Sequence, residues 1–336
     1  KEMVLKRVLI IDALNIYLRA YISNPSIALN GEPIGGAFGF LKSLQKYCRE
    51  MKPDHIVVCW DGPDGSRKRK TMHKGYKQGR SPVRLNRSVR TMSEEEEYEN
   101  KVWQQQRLIT YLNCLPVSQI MIEKIEADDI ISYVAQMPHF KEAQKVIISS
   151  DKDFYQLCND KTVVYRPVQN QFINANRLVE TFGIHPNNFA LARAICGDKS
   201  DNLDGVGGAG LKTVAKRFPF LSEANTHEIS TLMEACESVE KQLKIHKNVL
   251  SGESKIERNY KMMQLYTPLV SVQASQKIKY AIKEMTPELN KTQCIGLMIE
   301  DGIGAYDWSE MFATWYDRRE GISSQEERAP KGSKVQ

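Results

Sequence analysis

The chain has 336 residues, 41% of them hydrophobic, and a formal net charge of +6, which is enough for one large domain or two domains with a well-formed core. Its seven cysteines are scattered without a C-x-x-C pair. This pattern argues against a zinc site or a disulfide framework and favours a reducing compartment. No apolar run reaches transmembrane length, so we expect a soluble intracellular protein, in the cytoplasm or the nucleoid, without membrane contacts.

The first part of the chain predicts two buried strands, each followed by an aspartate. Residues 8–11 form a continuous apolar run, which is typical of a strand buried on both faces, and it ends at Asp12. An amphipathic helix reaches Met51, and a second apolar run, 56–60, ends at Asp61.

The next stretch, 62–100, is strongly basic. Ten lysines and arginines lie between Arg67 and Arg90 without an intervening acid; we call 67–90 the basic segment. Blocks of like charge are usually solvated loops, but His73 and Tyr76 among the cations favour a nucleic-acid-binding insertion, because bases stack on aromatic rings. A capping box at Ser93 then predicts a helix to about residue 114.

The middle of the chain combines acidic residues with one βα-type unit. Residues 126–129, with the sequence E-A-D-D, open a helix to about residue 137, and a strand at 146–150 ends in D-K-D at 151–153. A further strand is predicted at 162–165. Strands that alternate with helices predict an α/β fold with a mainly parallel central sheet flanked by helices.

The second half is predicted to be helical. A helix at 189–196 ends in G-D-K-S-D-N at 197–202, and a glycine-rich turn follows at 205–210. We predict an α/β core over 1–185, a helical region over 186–319, and a disordered tail over 320–336.

The acidic residues suggest a metal site. The carboxyl ends of parallel strands line one crevice, where converging carboxylates repel one another unless cations neutralise them. The helix macrodipole explains one or two acids at a helix start, but not the acids at three strand ends. Two Mg²⁺ ions there could activate water and stabilise a leaving oxygen. The candidate metal ligands are Asp12, Asp61, Glu126, Asp128, Asp129, Asp151, Asp153, Asp198 and Asp201.

The glycine-rich turn is the second signal. Its backbone amides could hold a phosphate, and Lys212 and Lys216 follow on the next helix. Taken alone, such a turn is often only a connection between helices.

These motifs together resemble the structure-specific 5′-nuclease (flap endonuclease) family, which includes phage 5′-exonucleases, the phage RNase H type and the 5′-nuclease domain of bacterial DNA polymerase I. The resemblance covers about residues 7–220. The matching segments, in chain order, are D-A-L-N at 12–15 with Arg19, the glycine-rich 31–40, W-D at 60–61, Arg67 with Y-K-Q-G-R at 76–80, the three acidic motifs, and 205–213. Ile34 replaces a threonine that is usual in the family.

The resemblance implies two structural features, a helical arch at 62–100 and a helix-turn-helix-type duplex-binding motif. It also implies that the protein is a flap endonuclease and 5′-3′ exonuclease of replication or repair. Such an enzyme would hydrolyse phosphodiesters near 5′ single-strand/duplex junctions and leave 5′-phosphates, with RNase H-like removal of RNA primers. Its cofactors would be two Mg²⁺ ions, replaceable by Mn²⁺, and K⁺ at the turn. Implied catalytic residues are Lys77, Arg80, Asp151 and Asp153. Implied DNA-binding residues are Arg19, Arg67, Tyr76, Lys77, Arg80, Arg84, Arg87, Gly205, Gly207, Gly208, Gly210, Lys212 and Lys216, with Tyr76 stacking on a base.

The implied partners are DNA with a 5′ flap or nick, RNA–DNA hybrid, and replication proteins. The resemblance also implies a monomer of phage or prokaryotic type. One alternative is a PIN-type ribonuclease acting on single-stranded RNA. Another is a catalytically inactive protein that binds branched DNA. A HAD-type phosphatase is disfavoured, because its first aspartate is followed by x-Asp, whereas Asp12 is followed by Ala13-Leu14.

Overall fold

The computed structural model describes residues 7–85, 92–303, 309–310 and 312–313. Its main sheet has six strands, which are β1 (Arg7–Asp12), β2 (His55–Trp60), β3 (Ser118–Met121), β4 (Gln144–Ile148), β5 (Thr162–Arg166) and β6 (Gln171–Ile173). They are arranged in the order β3-β2-β1-β4-β5-β6. All neighbouring strands are parallel except β5 and β6. The predicted α/β fold is confirmed; the short strands β3 and β6 were not predicted.

Helices pack on both faces of the sheet and continue to the end of the described chain. They are α1 (Ala13–Ser23), α2 (Gly35–Met51), α3 (Arg67–Met72), α4 (Glu94–Asn113), α5 (Ala127–Ala135), α6 (Ala175–Phe182), α7 (Pro186–Cys196), α8 (Leu211–Arg217), α9 (Ile229–Glu237), α10 (Lys244–Ser251), α11 (Glu253–Met263), α12 (Val272–Lys283) and α13 (Lys291–Glu300). The capping box between Ser93 and Glu96 at the start of α4 is present.

Alternate residues of each strand enter two different hydrophobic cores, because successive side chains of a strand point to opposite faces. Val8 and Ile10 pack in a core with residues of α5 and of the helices from α7 to α12. Leu9 and Ile11 pack with α1, α2, α4 and α13. The first core therefore continues across position 185, and the division into 1–185 and 186–319 stays a prediction.

Strand β1 lies between β2 and β4, so the chain changes direction across the sheet at the pair β1 and β4. In open α/β sheets, the crevice at such a point, outside the carboxyl ends of the strands, is where ligands bind. Asp12 pairs in register with Cys59, and Ile11 pairs with Ile148. The aspartates that follow these strands consequently lie at one edge.

The predicted tail at 320–336 lies outside the described residues. Within the described part of the chain, no helix is long and apolar enough to cross a membrane.

Candidate active site

Four aspartates line the carboxyl edge of the sheet, as predicted. Asp12 is the last residue of β1, and its carboxylate accepts a hydrogen bond of 2.7 Å from the Ser149 hydroxyl. Asp61 follows β2 and accepts a hydrogen bond of 2.7 Å from the backbone amide of Ala127. Asp151 and Asp153 follow β4, and Asp151 accepts a hydrogen bond of 2.8 Å from the Asp153 amide. The Asp61 contact fixes the start of α5 against this edge.

The start of α5 adds two buried acidic residues that both contact Arg69. Glu126 is buried and contacts both Arg69 and Lys77. Asp129 is also buried, and its two oxygens accept hydrogen bonds of 2.6 and 3.1 Å from the guanidinium of Arg69. Asp129 thus forms a structural ion pair, and its assignment as a metal ligand finds no support in this geometry.

Burial and mutual repulsion raise the pKa values of Asp12, Asp128 and Asp153. Burial raises the pKa of Asp12 to about 7; the Ser149 hydrogen bond opposes this shift, and the charges of Asp61 and Asp151 add to it. Burial likewise raises the pKa of Asp153 to about 7, and the charge of Asp151 adds to the shift. The pKa of Asp128 is raised well above its ordinary value by burial, although Lys77 opposes the shift.

The loop after α7 brings two more aspartates beside this group. Asp198 accepts hydrogen bonds from Ser200, and a hydrogen bond of 2.6 Å from Arg193. The Nε atom of Arg193 also donates to Asp153 at 3.0 Å. Arg193 therefore joins the 197–202 loop to the end of β4. This contact was not predicted, because an arginine inside an apolar helix pattern gives no functional signal.

The basic segment is docked on the 197–202 loop. The Lys77 amide donates to the Asp201 carbonyl at 3.0 Å, and the Asn202 side chain donates to the Gly75 carbonyl at 2.9 Å. Arg80 forms an ion pair with the Asp201 carboxylate. The basic segment and the 197–202 loop therefore form one wall of the site. Arg80 and Ser200, which are in contact there, are 120 residues apart along the chain.

Two members of the basic segment are buried in the protein. The Arg69 side chain is only 4% exposed, and its Nε atom donates to the Met262 carbonyl at 2.8 Å. Tyr76 is 3% exposed and packs with Leu203, Met262 and Met263. The ring of Tyr76 is therefore not presented to a base in this conformation, which differs from the stacking role that we predicted.

A cleft of about 680 Å³ lies beside the basic segment, lined in part by Asp61, Arg67, Lys70, Lys77, Arg80 and Glu126. Its lining combines carboxylates with cations. Arg67 and Lys70 are exposed on α3. Such a cleft can hold a phosphate close to the acidic group.

Two other predicted DNA-binding residues, Arg19 and Arg84, contact protein groups. Arg19 donates to the Ser150 hydroxyl at 3.2 Å, beside Asp151. Arg84 is held by Glu97 of α4 through hydrogen bonds of 2.6 and 3.1 Å, so its guanidinium faces protein carboxylates. Arg87 lies outside the described residues.

The glycine-rich turn at 205–210 is exposed at Gly207, Gly208 and Gly210. Gly208 has φ +78°, whereas Gly207 does not lie in the left-handed region. Within the described ranges, the amides of these three glycines donate to no protein acceptor. Gly205 is different, because it is packed against the carbonyl of Cys196.

The family model of the 5′-3′ exonuclease, N-terminal resolvase-like domain, matches residues 7–183. The chain belongs to the 5′-3′ exonuclease family. The predicted family and the predicted enzyme class, a nuclease among the hydrolases, are thereby confirmed.

Relatives of this family member differ in length. The 5′-3′ exonuclease of Aquifex aeolicus is 26% identical over 293 residues, which cover 85% of this chain and 90% of that protein. The thermostable DNA polymerase I of Thermus aquaticus is 30% identical over 211 residues, which cover 62% of this chain and only 23% of the polymerase. The crystal structure of the bacteriophage T5 flap endonuclease with DNA and metal ions has a TM-score of 0.62 and 17% identity, and the match covers 89% of this chain and 100% of that one. This last similarity shows a shared fold.

Several acidic residues of this exonuclease family member form ion pairs with protein cations. Among the residues that the structure describes, no three Asp, Glu, His or Cys side chains are already arranged to hold one metal ion. Lys77 contacts Glu126, Arg193 bridges Asp153 and Asp198, and Arg80 contacts Asp201. The donor chemistry still fits a divalent ion, because buried carboxylates with raised pKa values gain most from a cation.

Proposed function

We propose that this chain is a structure-specific 5′ nuclease that hydrolyses a phosphodiester near the junction of a 5′ single strand and a duplex. The observation that carries this proposal is that carboxylates at the ends of β1, β2 and β4 and at the start of α5 come together at one edge of the sheet. Besides burial, the charges of Asp61 and Asp151 raise the pKa of Asp12. Besides burial, the charges of Asp151 and Asp12 raise the pKa of Asp128. Lysine and arginine side chains of the basic segment lie next to these carboxylates. A site that hydrolyses phosphodiesters needs such cations to bind the phosphate.

Mg²⁺ is the ion that we assign to this site, since it binds through a few carboxylates and leaves room for substrate phosphates. The residues that would hold it are Asp12, Asp61, Glu126, Asp128, Asp151 and Asp153, with Asp198 and Asp201 forming a second group. When bound, such ions supply an activated water and stabilise the leaving oxygen. Asp129 is left out of this assignment, because both of its oxygens contact Arg69.

Lys77 and Arg80 supply positive charge to the scissile phosphate in this proposal. The Lys77 side chain is 21% exposed and contacts Glu126, so it already lies beside the acidic group. Arg80 is exposed at the edge of the cleft. Donors placed where charge develops act mainly on the transition state.

Lys77→Ala is expected to lower the single-turnover rate more than the affinity for a flap substrate. The expected loss corresponds to about 2–4 kcal/mol, the usual scale for one transition-state charge contact. Lys74→Ala is the matched control, because Lys74 is an exposed lysine of the same segment. A variant that bound DNA more weakly but cut bound DNA at the wild-type rate would show that Lys77 is only a binding residue.

Metal binding is expected to depend on pH. Because the pKa values of Asp12 and Asp153 are raised to about 7, these groups must lose protons to bind a cation. The gain in melting temperature on adding Mg²⁺ should be larger at about pH 8 than at about pH 6. Without metal, stability is expected to change with pH in the opposite direction. The contribution of Asp12 to the free energy of unfolding is complete below its ordinary pKa of 3.8 and is lost as the pH rises through the raised pKa of about 7. An equal gain at both pH values would contradict the assignment.

The glycine-rich turn and Lys212 are proposed to hold one backbone of the duplex. Exposed amides beside an exposed lysine suit a phosphate, and phosphate contacts carry no sequence information. Binding of K⁺ at this turn, replacement of Mg²⁺ by Mn²⁺, action on RNA–DNA hybrid, a monomeric state and replication partners stay predictions.

Lys212→Ala and Gly208→Val are expected to weaken binding of plain duplex and of flap DNA alike. A valine at Gly208 has room, but it would strain a backbone with φ +78° and distort the amides. For Lys212→Ala, the slope of log affinity against log salt should fall by about 0.9, the value for one phosphate. Lys279→Ala on α12 and Gly296→Val on α13 are controls at exposed positions. Unchanged duplex binding would leave the turn as a mere connection.

A further inference from the structure

Helix α10 lies directly against the glycine-rich turn. The side-chain amide of Asn248 donates to the Gly207 carbonyl at 3.0 Å. At the end of the helix, a methyl group placed on Gly252 would come within 3.2 Å of the Val206 side chain. The helix is therefore held at a fixed position beside the exposed amides.

The face of α10 that carries Asn248 also carries two lysines. Residues three and four apart share one face of a helix, so Lys244, Lys247, Asn248 and Ser251 form a stripe. The opposite face is buried through Ile245, His246 and Val249. Both lysines are exposed.

These two lysines lie in a segment of the sequence that contains no acidic residue. The sequence contains no acidic residue between Glu240 and Glu253. Within the described part of the chain, neither Lys244 nor Lys247 forms an ion pair with a carboxylate. Their charge is therefore not neutralised locally, unlike that of Arg69, Lys77 and Arg193.

We propose that Lys244 and Lys247 form a second phosphate-binding patch, which extends the duplex path from the glycine-rich turn along α10. The inference rests on the proposed function. Each exposed lysine can contact one phosphate, so the ligand is a pair of phosphates of the duplex backbone, bound without reading bases.

The double variant Lys244→Ala/Lys247→Ala tests the patch by its salt dependence. For a plain duplex, the slope of log affinity against log salt should fall by about 1.8, which is 0.9 for each phosphate. The variant Lys244→Arg/Lys247→Arg should restore the wild-type slope. Lys279→Ala/Lys283→Ala on α12 removes the same charge from another exposed helix, and it should leave the slope unchanged. The melting temperature of each variant checks that it is folded.

Two results would overturn the patch: a wild-type slope in the alanine variant, or an equal fall of the slope in the α12 control. Cleavage of a flap substrate by the wild-type protein is measured in parallel. If the wild type cuts the flap but the slope does not change, only the patch is wrong. If the wild type does not cut any junction substrate, the proposed function fails and this inference fails with it.

Discussion

Asp151→Asn is expected to abolish cleavage while DNA binding stays close to that of the wild type. The carboxylate follows β4 at the centre of the acidic group, and burial raises its pKa. Loss of an ion-holding charge removes several kcal/mol of transition-state stabilisation, and about 1.4 kcal/mol corresponds to tenfold in rate. The single-turnover rate on a flap substrate should therefore fall by a factor on the order of a thousand or more.

The asparagine keeps the acceptor that the Asp153 amide uses at 2.8 Å, so the fold should be retained. Asp160→Asn is the control, because Asp160 is an exposed aspartate a short distance along the chain. Binding to duplex, measured without cleavage, should be equal to or tighter than that of the wild type, since a negative charge near phosphates is removed. Wild-type turnover in Asp151→Asn would contradict the metal assignment.

Arg69→Met is expected to lower the free energy of unfolding by about 3–5 kcal/mol, the cost of breaking a buried ion pair on one side. Arg69 contacts Glu126 and Asp129, and all three side chains are at most 4% exposed. Without the guanidinium, the one donor left to the Asp129 carboxylate within the described part of the chain is the Leu269 amide, at 3.0 Å. The measurement is denaturant unfolding with circular dichroism.

Lys70→Met on the same helix is the matched control, because Lys70 is exposed and surface substitutions change stability by only about 0.5 kcal/mol. A loss below about 1 kcal/mol in Arg69→Met would show that this ion pair does not hold the basic segment on α5. That outcome would also weaken the position that the structure gives to Lys77.

The main strands and the acidic motifs could be predicted because their signals are local. The runs that became β1, β2, β4 and β5 are continuously apolar, as burial on both faces requires, and aspartates follow three of them. Strand β3 is only four residues long and alternates in burial. It depends on pairing with β2, which no local pattern reveals.

The charge pairing of the site could not be predicted, since it depends on contacts between distant residues. Arg69 and Lys77 belong to one basic block in the sequence, yet the first is buried against Asp129 and the second contacts Glu126. Arg193 joins Asp153 to Asp198 from inside a helix that reads as apolar. Composition gives the excess of cations but does not distinguish those that bind protein carboxylates from those left for phosphates.

The most direct test of the proposed function compares four end-labelled substrates at one salt concentration with Mg²⁺: a 5′ flap, a nicked duplex, an RNA–DNA hybrid and a single-stranded RNA. We predict that the flap is cut near its junction to give 5′-phosphate products, that chelation of metal stops the reaction, and that Asp151→Asn is inactive. Cleavage of the single-stranded RNA in preference to the flap, or cleavage that survives metal removal, would contradict the proposed function.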